Sequence, residues 1–164
     1  MGARLLACAA LVVLWALLAP ATGAGTAVTT PECGAAVGDD LEQRLPVGPF
    51  DKRVGQTLCF DFTGDGREDI VFTGWEFADN GAHYWAAFRA RGDDWSRVIF
   101  KRDCCRVRRA TKIRIARLGG TILVRQPIFR PGNKNCCPTG GTQTGRWRWN
   151  GVALKLLGTT TSPR

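Results

Sequence analysis

Apolar residues follow three successive patterns along the chain. Residues 5–19 form an unbroken apolar run behind Arg4. Residues 25–45 begin with Thr, Gly and Pro, then offer one helical stretch: Asp39 or Asp40 can cap a short turn over 41–44, which Pro46 stops. From Gln56 onward come short β-prone runs bounded by Gly, Asn and Asp, at 57–62, 69–77, 83–90, 95–101, 106–118, 121–130, 146–149 and 152–157. Arg91-Gly92-Asp93-Asp94, Gly119-Gly120 and Asn150-Gly151 are turn signals, the last a strong hairpin signal. Eight short strands with tight turns predict an all-β fold: an antiparallel sheet, sandwich or partly closed barrel with at most one short N-terminal helix. No repeat of fixed period is visible, which disfavours a full propeller or a solenoid. Residues 159–164 read as a disordered tail.

The first pattern sets the domain organisation. A basic start, a short apolar segment and the small residues Ala19-Pro20-Ala21 form a secretory signal peptide over 1–21, with cleavage as late as residue 24 as the alternative. The run is shorter than the roughly 20 residues that span a bilayer, so no transmembrane segment is expected. Leu5-Leu6-Ala7-Cys8 faintly resembles a lipoprotein acylation box, but its apolar segment follows Cys8 instead of preceding it. The expected organisation is a signal peptide, an N-terminal segment over 22–52, a single β domain over 53–158 and the tail, in a secreted protein.

Composition then narrows the chemistry. With 45% apolar and 23% charged residues the chain is globular. One His and two Ser (Ser96, Ser162) argue against a Ser-His-Asp hydrolase or a His-rich metal enzyme. Charge is split: residues 25–100 hold seven Lys/Arg against thirteen Asp/Glu, whereas residues 101–164 hold fifteen Lys/Arg against Asp103 alone. Such a split points to an anionic partner or to the two parts packing against each other. Lys112, Arg114, Arg146 and Arg148 alternate with Ile113, Ile115, Trp147 and Trp149. In strands this alternation gathers the cations on one face as anion-binding candidates and sends the tryptophans to the core. A nucleic-acid stacking platform needs both on one surface, so no specific nucleic-acid partner is expected. An anionic polymer or envelope component fits better, and a merely solvated basic face is the alternative.

Cys8 leaves with the signal, and Cys33, Cys59 and the doublets Cys104-Cys105 and Cys136-Cys137 stay. An even count in an exported chain reads as disulfides. Adjacent Cα atoms lie about 3.8 Å apart, too close for an easy bond within a doublet. The expected pairing is Cys33–Cys59 plus at least one bridge between the doublets. A four-cysteine zinc site is the weaker alternative, because structural zinc favours ligands two to four residues apart.

The most specific motif is Asp61-Phe62-Thr63-Gly64-Asp65-Gly66-Arg67-Glu68-Asp69. Oxygen-bearing side chains recur at Asp61, Thr63, Asp65 and Asp69, Gly66 permits a sharp turn, and the Arg67 carbonyl can face inward, which suits Ca²⁺. An EF-hand would carry Glu where this chain has Phe72, and would lead into a helix instead of Ile70-Val71-Phe72. The segment resembles the calcium loop of FG-GAP/VCBS-type repeats, known from integrin α-subunit propellers, over roughly residues 57–77. The resemblance implies Asp61, Thr63, Asp65 and Asp69 as side-chain ligands of a structural Ca²⁺, with Arg67 contributing its backbone. Thr63 stands where Asn or Asp is usual, and only one copy is present. The alternative is an Asx-rich turn without metal, its carboxylates capping backbone N–H groups. Asn135-Cys136-Cys137-Pro138-Thr139-Gly140-Gly141 and Arg146-Trp147-Arg148-Trp149-Asn150-Gly151 also resemble segments of small exported proteins of uncharacterised function from high-GC Gram-positive bacteria.

Weaker signals carry less. Arg91-Gly92-Asp93 is an integrin-type tripeptide on an expected hairpin tip, where a plain turn suffices. His83 shows no catalytic spacing with Glu76, Asp79 or Ser96, and Glu68 with Glu76 is a generic carboxylate pair. The expected function is a non-catalytic secreted module with a calcium loop and a basic C-terminal half; the alternative is a secreted hydrolase of unknown substrate.

Overall fold

A computed structural model describes residues 32–47, 52–76, 82–103, 113–130 and 140–163. One helix, α1 (Ala35–Gln43), precedes eight strands: β1 (Lys52–Phe60), β2 (Asp69–Glu76), β3 (His83–Arg91), β4 (Asp94–Asp103), β5 (Arg114–Leu118), β6 (Thr121–Pro127), β7 (Thr142–Trp149) and β8 (Leu154–Ser162). They form two four-stranded antiparallel meanders, β1-β2-β3-β4 and β5-β6-β7-β8. Neither sheet closes on itself among the described residues, so the expected all-β fold is present as an open, layered arrangement and not a closed barrel.

The first sheet is the middle layer. Ile70, Phe72, Tyr84, Ala86 and Phe88 face α1 and pack with its Leu41 and the following Leu45. The alternate residues Val71, Trp85 and Ala87, with Phe60 and Phe62, face the second sheet and meet Ile113, Ile115, Ile122, Val124 and Leu154. This double coverage is why β2 reads as a continuous apolar run. Gln56, at a bulge in β1, joins the layers: its Nε2 donates to the Ile115 carbonyl (2.6 Å) and its Oε1 accepts from the Ile115 N–H (3.0 Å).

The expected bridge Cys33–Cys59 is formed, with Cα atoms 5.9 Å apart, and ties the chain just before α1 to β1. The doublets Cys104-Cys105 and Cys136-Cys137, and Lys112, lie outside the described residues.

Several boundaries differ from the sequence expectation. The helix starts at Ala35, one turn earlier than an Asp39 or Asp40 cap would allow, and Gly34 supplies no side-chain cap. Burial of Leu41 and Leu45 and the adjacent disulfide hold it, since most helix stability in proteins comes from packing. Strand β1 begins at Lys52, with Gly55 fitting where a Cβ would lie 2.9 Å from Thr73 Oγ1. Asn150-Gly151 does not make a two-residue hairpin. Asn150 Oδ1 accepts from the Val152 and Ala153 N–H groups, and Leu154 is the first paired residue of β8. The expected tail is instead mostly strand: Thr159, Thr160, Thr161 and Ser162 pair with Gly145, Thr144, Gln143 and Thr142.

Candidate functional site

The loop between β1 and β2 is built by its own carboxylates. Gly64 and Gly66 adopt φ of 79° and 86°, the left-handed region where glycine is unstrained. Those turns aim successive amides inward, and Asp61 accepts from the N–H groups of Gly64, Asp65 and Gly66 and from the Thr63 hydroxyl. Burial pushes the Asp61 carboxyl up, but the combined hydrogen bonds outweigh it and hold the group below the usual carboxylate range. Asp65 Oδ1 accepts from the Arg67 N–H (3.0 Å).

Asp69 is fully buried. Its Oδ2 accepts from the N–H groups of Phe62 (3.0 Å) and Thr63 (2.9 Å), and its Oδ1 from the N–H of Ala90 (3.1 Å) on β3. Here burial wins over the hydrogen bonds and raises the pKa. Asp69 therefore pins the loop to the neighbouring strand.

Tested against Ca²⁺, this donor set fits in part. Asp69 is turned onto amides and lies inside the protein, and among the described residues no three His, Cys, Asp or Glu side chains group as metal ligands. Asp61 Oδ2 takes a single donor and Asp65 Oδ2 takes none among the described residues, so the exposed rim keeps oxygen capacity near Thr63 and Arg67. Asp61 and Asp65 thus cap loop amides in the manner of an Asx-rich turn, and the rim oxygens remain turned outward.

The second feature is the outer face of the second sheet. Ile115, Ile122, Val124, Trp147 and Trp149 point toward the first sheet, so the alternate positions point away. Arg114 lies opposite Arg125, and Arg148 lies between Thr121 and Lys155, with Arg146 two residues before it on the same face. All five cations are exposed. Arg114, Arg146 and Arg148 were legible from alternation. Arg125 and Lys155 were not singled out, although their phase against Ile122, Val124 and Leu154 carries the same signal.

None of the five belongs to an ion pair found among the described residues. Those pairs join Arg44 to Asp40 and Asp94 and Arg102 to Glu76, all within α1 and the first sheet. Apart from the Gln56–Ile115 hydrogen bonds, the contacts described between the sheets are mainly apolar, with Arg89 over Trp149, Lys101 over Trp147 and Arg117 over Phe60 at the margins.

Glu76 and His83 occupy neighbouring positions of the β2–β3 ladder but opposite faces, since His83 pairs with Trp75. Glu68 and Glu76 flank the length of β2, roughly 25 Å apart at strand rise, beyond the 5–9.5 Å of a glycosidase pair. His83 and Ser96 sit at opposite ends of the β3–β4 pairing, and Asp79 lies outside the described residues. Arg91-Gly92-Asp93 occupies the β3–β4 hairpin tip, as expected, with Arg91 paired to Asp94.

Comparison with protein-family models, with curated proteins and with solved structures found no match. Among the described residues no helix is long and apolar enough to cross a membrane.

Proposed function

We propose that this chain is a secreted, non-catalytic β module that binds an anionic polymer or cell-envelope component through the outer face of its second sheet. The observation that carries the proposal is the array of Arg114, Arg125, Arg146, Arg148 and Lys155, exposed on one face and outside the ion pairs of the described residues. The charge split in the sequence allowed either mutual packing of the halves or an external anion. The apolar contact between the sheets favours the external anion. A face with cations on neighbouring strands suits a repeating negative charge more than a single small anion.

Retention of the secreted form on a sulfated polysaccharide column tests this. Wild type should elute only at raised salt, because exposed charges are screened within about 8 Å at physiological ionic strength. The double variant Arg146→Glu/Arg148→Glu should elute near the void volume with unchanged thermal unfolding. Equal retention of the two proteins would remove the basis of the proposal.

In the same reading the β1–β2 loop takes Ca²⁺ at its rim through Asp61, Thr63, Asp65 and the Arg67 backbone, as a structural ion. At a dissociation constant of 0.1–1 mM, millimolar calcium would then add only about 0.4–1.4 kcal/mol. Calorimetry with calcium against chelator should show this increment in wild type and none in Asp65→Ala; an identical response of the two would exclude the ion from the rim.

A further inference from the structure

The two sheets approach each other most closely where β1 and β2 meet β5, at the Gln56–Ile115 hydrogen bonds. On the opposite flank β4 and β8 are edge strands among the described residues, and a cleft of about 300 Å³ opens between the layers. Its floor is aromatic: the Trp147 and Trp85 rings meet in a T-shaped arrangement, ring centres 5.2 Å apart. Gly145 makes room for that indole, since a Cβ there would lie 3.0 Å from Trp147 Nε1.

One wall is unexpectedly polar. Ile122 and Val124 point inward, so Gln126, in phase with them, points inward as well, opposite Gln143. A continuing core would place apolar side chains at both positions. Instead Gln126 Nε2 donates to Gln143 Oε1 (3.3 Å), which leaves Gln126 Oε1 as an acceptor and Gln143 Nε2 as a donor toward the cleft. Lys101 lies on the cleft with Nζ 6.0 Å from the Trp147 ring centre, and among the described residues no carboxylate lines the cavity.

We propose that this cleft binds one acidic sugar residue, its C–H face on Trp147, its hydroxyls on the Gln126–Gln143 amides and its carboxylate on Lys101. An aromatic floor with a few convergent polar groups is the usual anatomy of a small-ligand site. The charge-assisted contact to Lys101 selects an acid over a neutral sugar. The volume lies at the lower limit of ligand pockets, roughly 300–1,000 Å³, which suits one ring better than a nucleotide with base, ribose and phosphate. The site is independent of the outer face, because Arg146 and Arg148 lie on the other side of β7 from Trp147.

Tryptophan fluorescence and calorimetric titration with a glucuronate-containing disaccharide, its glucose counterpart and adenosine monophosphate test the assignment. The acidic disaccharide should bind saturably, and the other two at least about tenfold more weakly. Gln143→Ala and Lys101→Ala should each weaken binding about fivefold or more, while Arg146→Glu/Arg148→Glu should leave it unchanged. Lys101 is exposed, so its variant keeps the test valid even where Gln143→Ala disturbs the fold. Absence of saturable binding, equal binding of the neutral sugar, preference for the nucleotide, or loss confined to the Arg146/Arg148 variant would each overturn it. That last outcome would uphold the outer-face proposal while refuting this one.

Discussion

Removal of the Asp69 carboxylate is the sharpest perturbation available to this fold. It accepts three backbone N–H groups, from Phe62, Thr63 and Ala90, and the residue itself has no solvent exposure. Asp69→Ala would orphan all three donors. Phe62 and Ala90 are buried and cannot turn to water, whereas Thr63 is only half-buried. At about 1–3 kcal/mol for each orphaned buried donor, less the relief of burying a carboxylate, the loss comes to about 4 kcal/mol. That is a large share of a typical domain stability of roughly 5–15 kcal/mol. Asp69→Asn keeps one acceptor oxygen but sets its NH₂ against a backbone donor, for about 2 kcal/mol. Asp65→Ala removes one exposed contact and should lose no more than about 1 kcal/mol.

Urea unfolding of the three variants, in chelator and with the disulfide intact, measures the order. The expected order of loss is Asp69→Ala, then Asp69→Asn, then Asp65→Ala, with the first lowering the melting temperature by on the order of 15 °C. A metal-held loop would give a different order, because Asp65 would matter as much as Asp69 and only with calcium present. A loss below about 1 kcal/mol for Asp69→Ala would refute the idea that amide capping by this residue pins the loop.

Two further perturbations probe the helix–sheet layer. Glu42 on α1 is buried and accepts a hydrogen bond from the Tyr84 hydroxyl; burial first, then the nearby Asp39, raise its pKa from 4.5 to about 7, against a lowering effect of Lys52. Because the folded value exceeds the unfolded one, this contribution is fully present below pH 4.5 and is lost as pH rises through about 7, for a span of about 3 kcal/mol. Glu42→Gln should flatten that slope and be the more stable protein at pH 8, as urea midpoints at pH 5 and pH 8 would show; a parallel pH profile would contradict it. Gly74→Ala should cost about 3 kcal/mol by overpacking, since the new Cβ would lie 2.4 Å from the ring of Tyr84, itself fully buried; an unchanged melting temperature would mean that Tyr84 can move.

How far the sequence anticipated this molecule depends on whether a signal was local. Strands β2 and β3 are legible because their residues alternate between two covered faces, and the Gly92-Asp93 and Gly119-Gly120 turns sit between directly paired residues. The early start of α1 is not, because residues 35–38 carry no cap and their helicity depends on Leu41, Leu45 and a disulfide partner 26 residues away. The strand character of residues 159–162 is equally hidden. Every residue of β8 after Leu154 is exposed, so no apolar rhythm marks it, and only the ladder to β7 defines it. Asp69 was recognised as an oxygen donor at the right loop position. Its partner Ala90, 21 residues on, is visible only once β2 and β3 are paired.

The same distinction explains where a function can reside. The first sheet is covered on both faces, by α1 and by the second sheet, and its described ion pairs stay within that half of the molecule. Among the described residues the second sheet is covered on one face only, and no Asp or Glu follows Asp103 in the sequence, so its outer cations have no carboxylate of their own half to meet. Arg114 and Arg125 lie directly opposite each other, a like-charge juxtaposition that destabilises a sheet. A solvated face serving only solubility could relieve it with one acidic substitution. A bound polyanion relieves it equally well, which makes a prediction: Arg125→Glu should stabilise the free protein while weakening retention on the sulfated column. If stability and retention rise together, the cations of that face are not a binding surface.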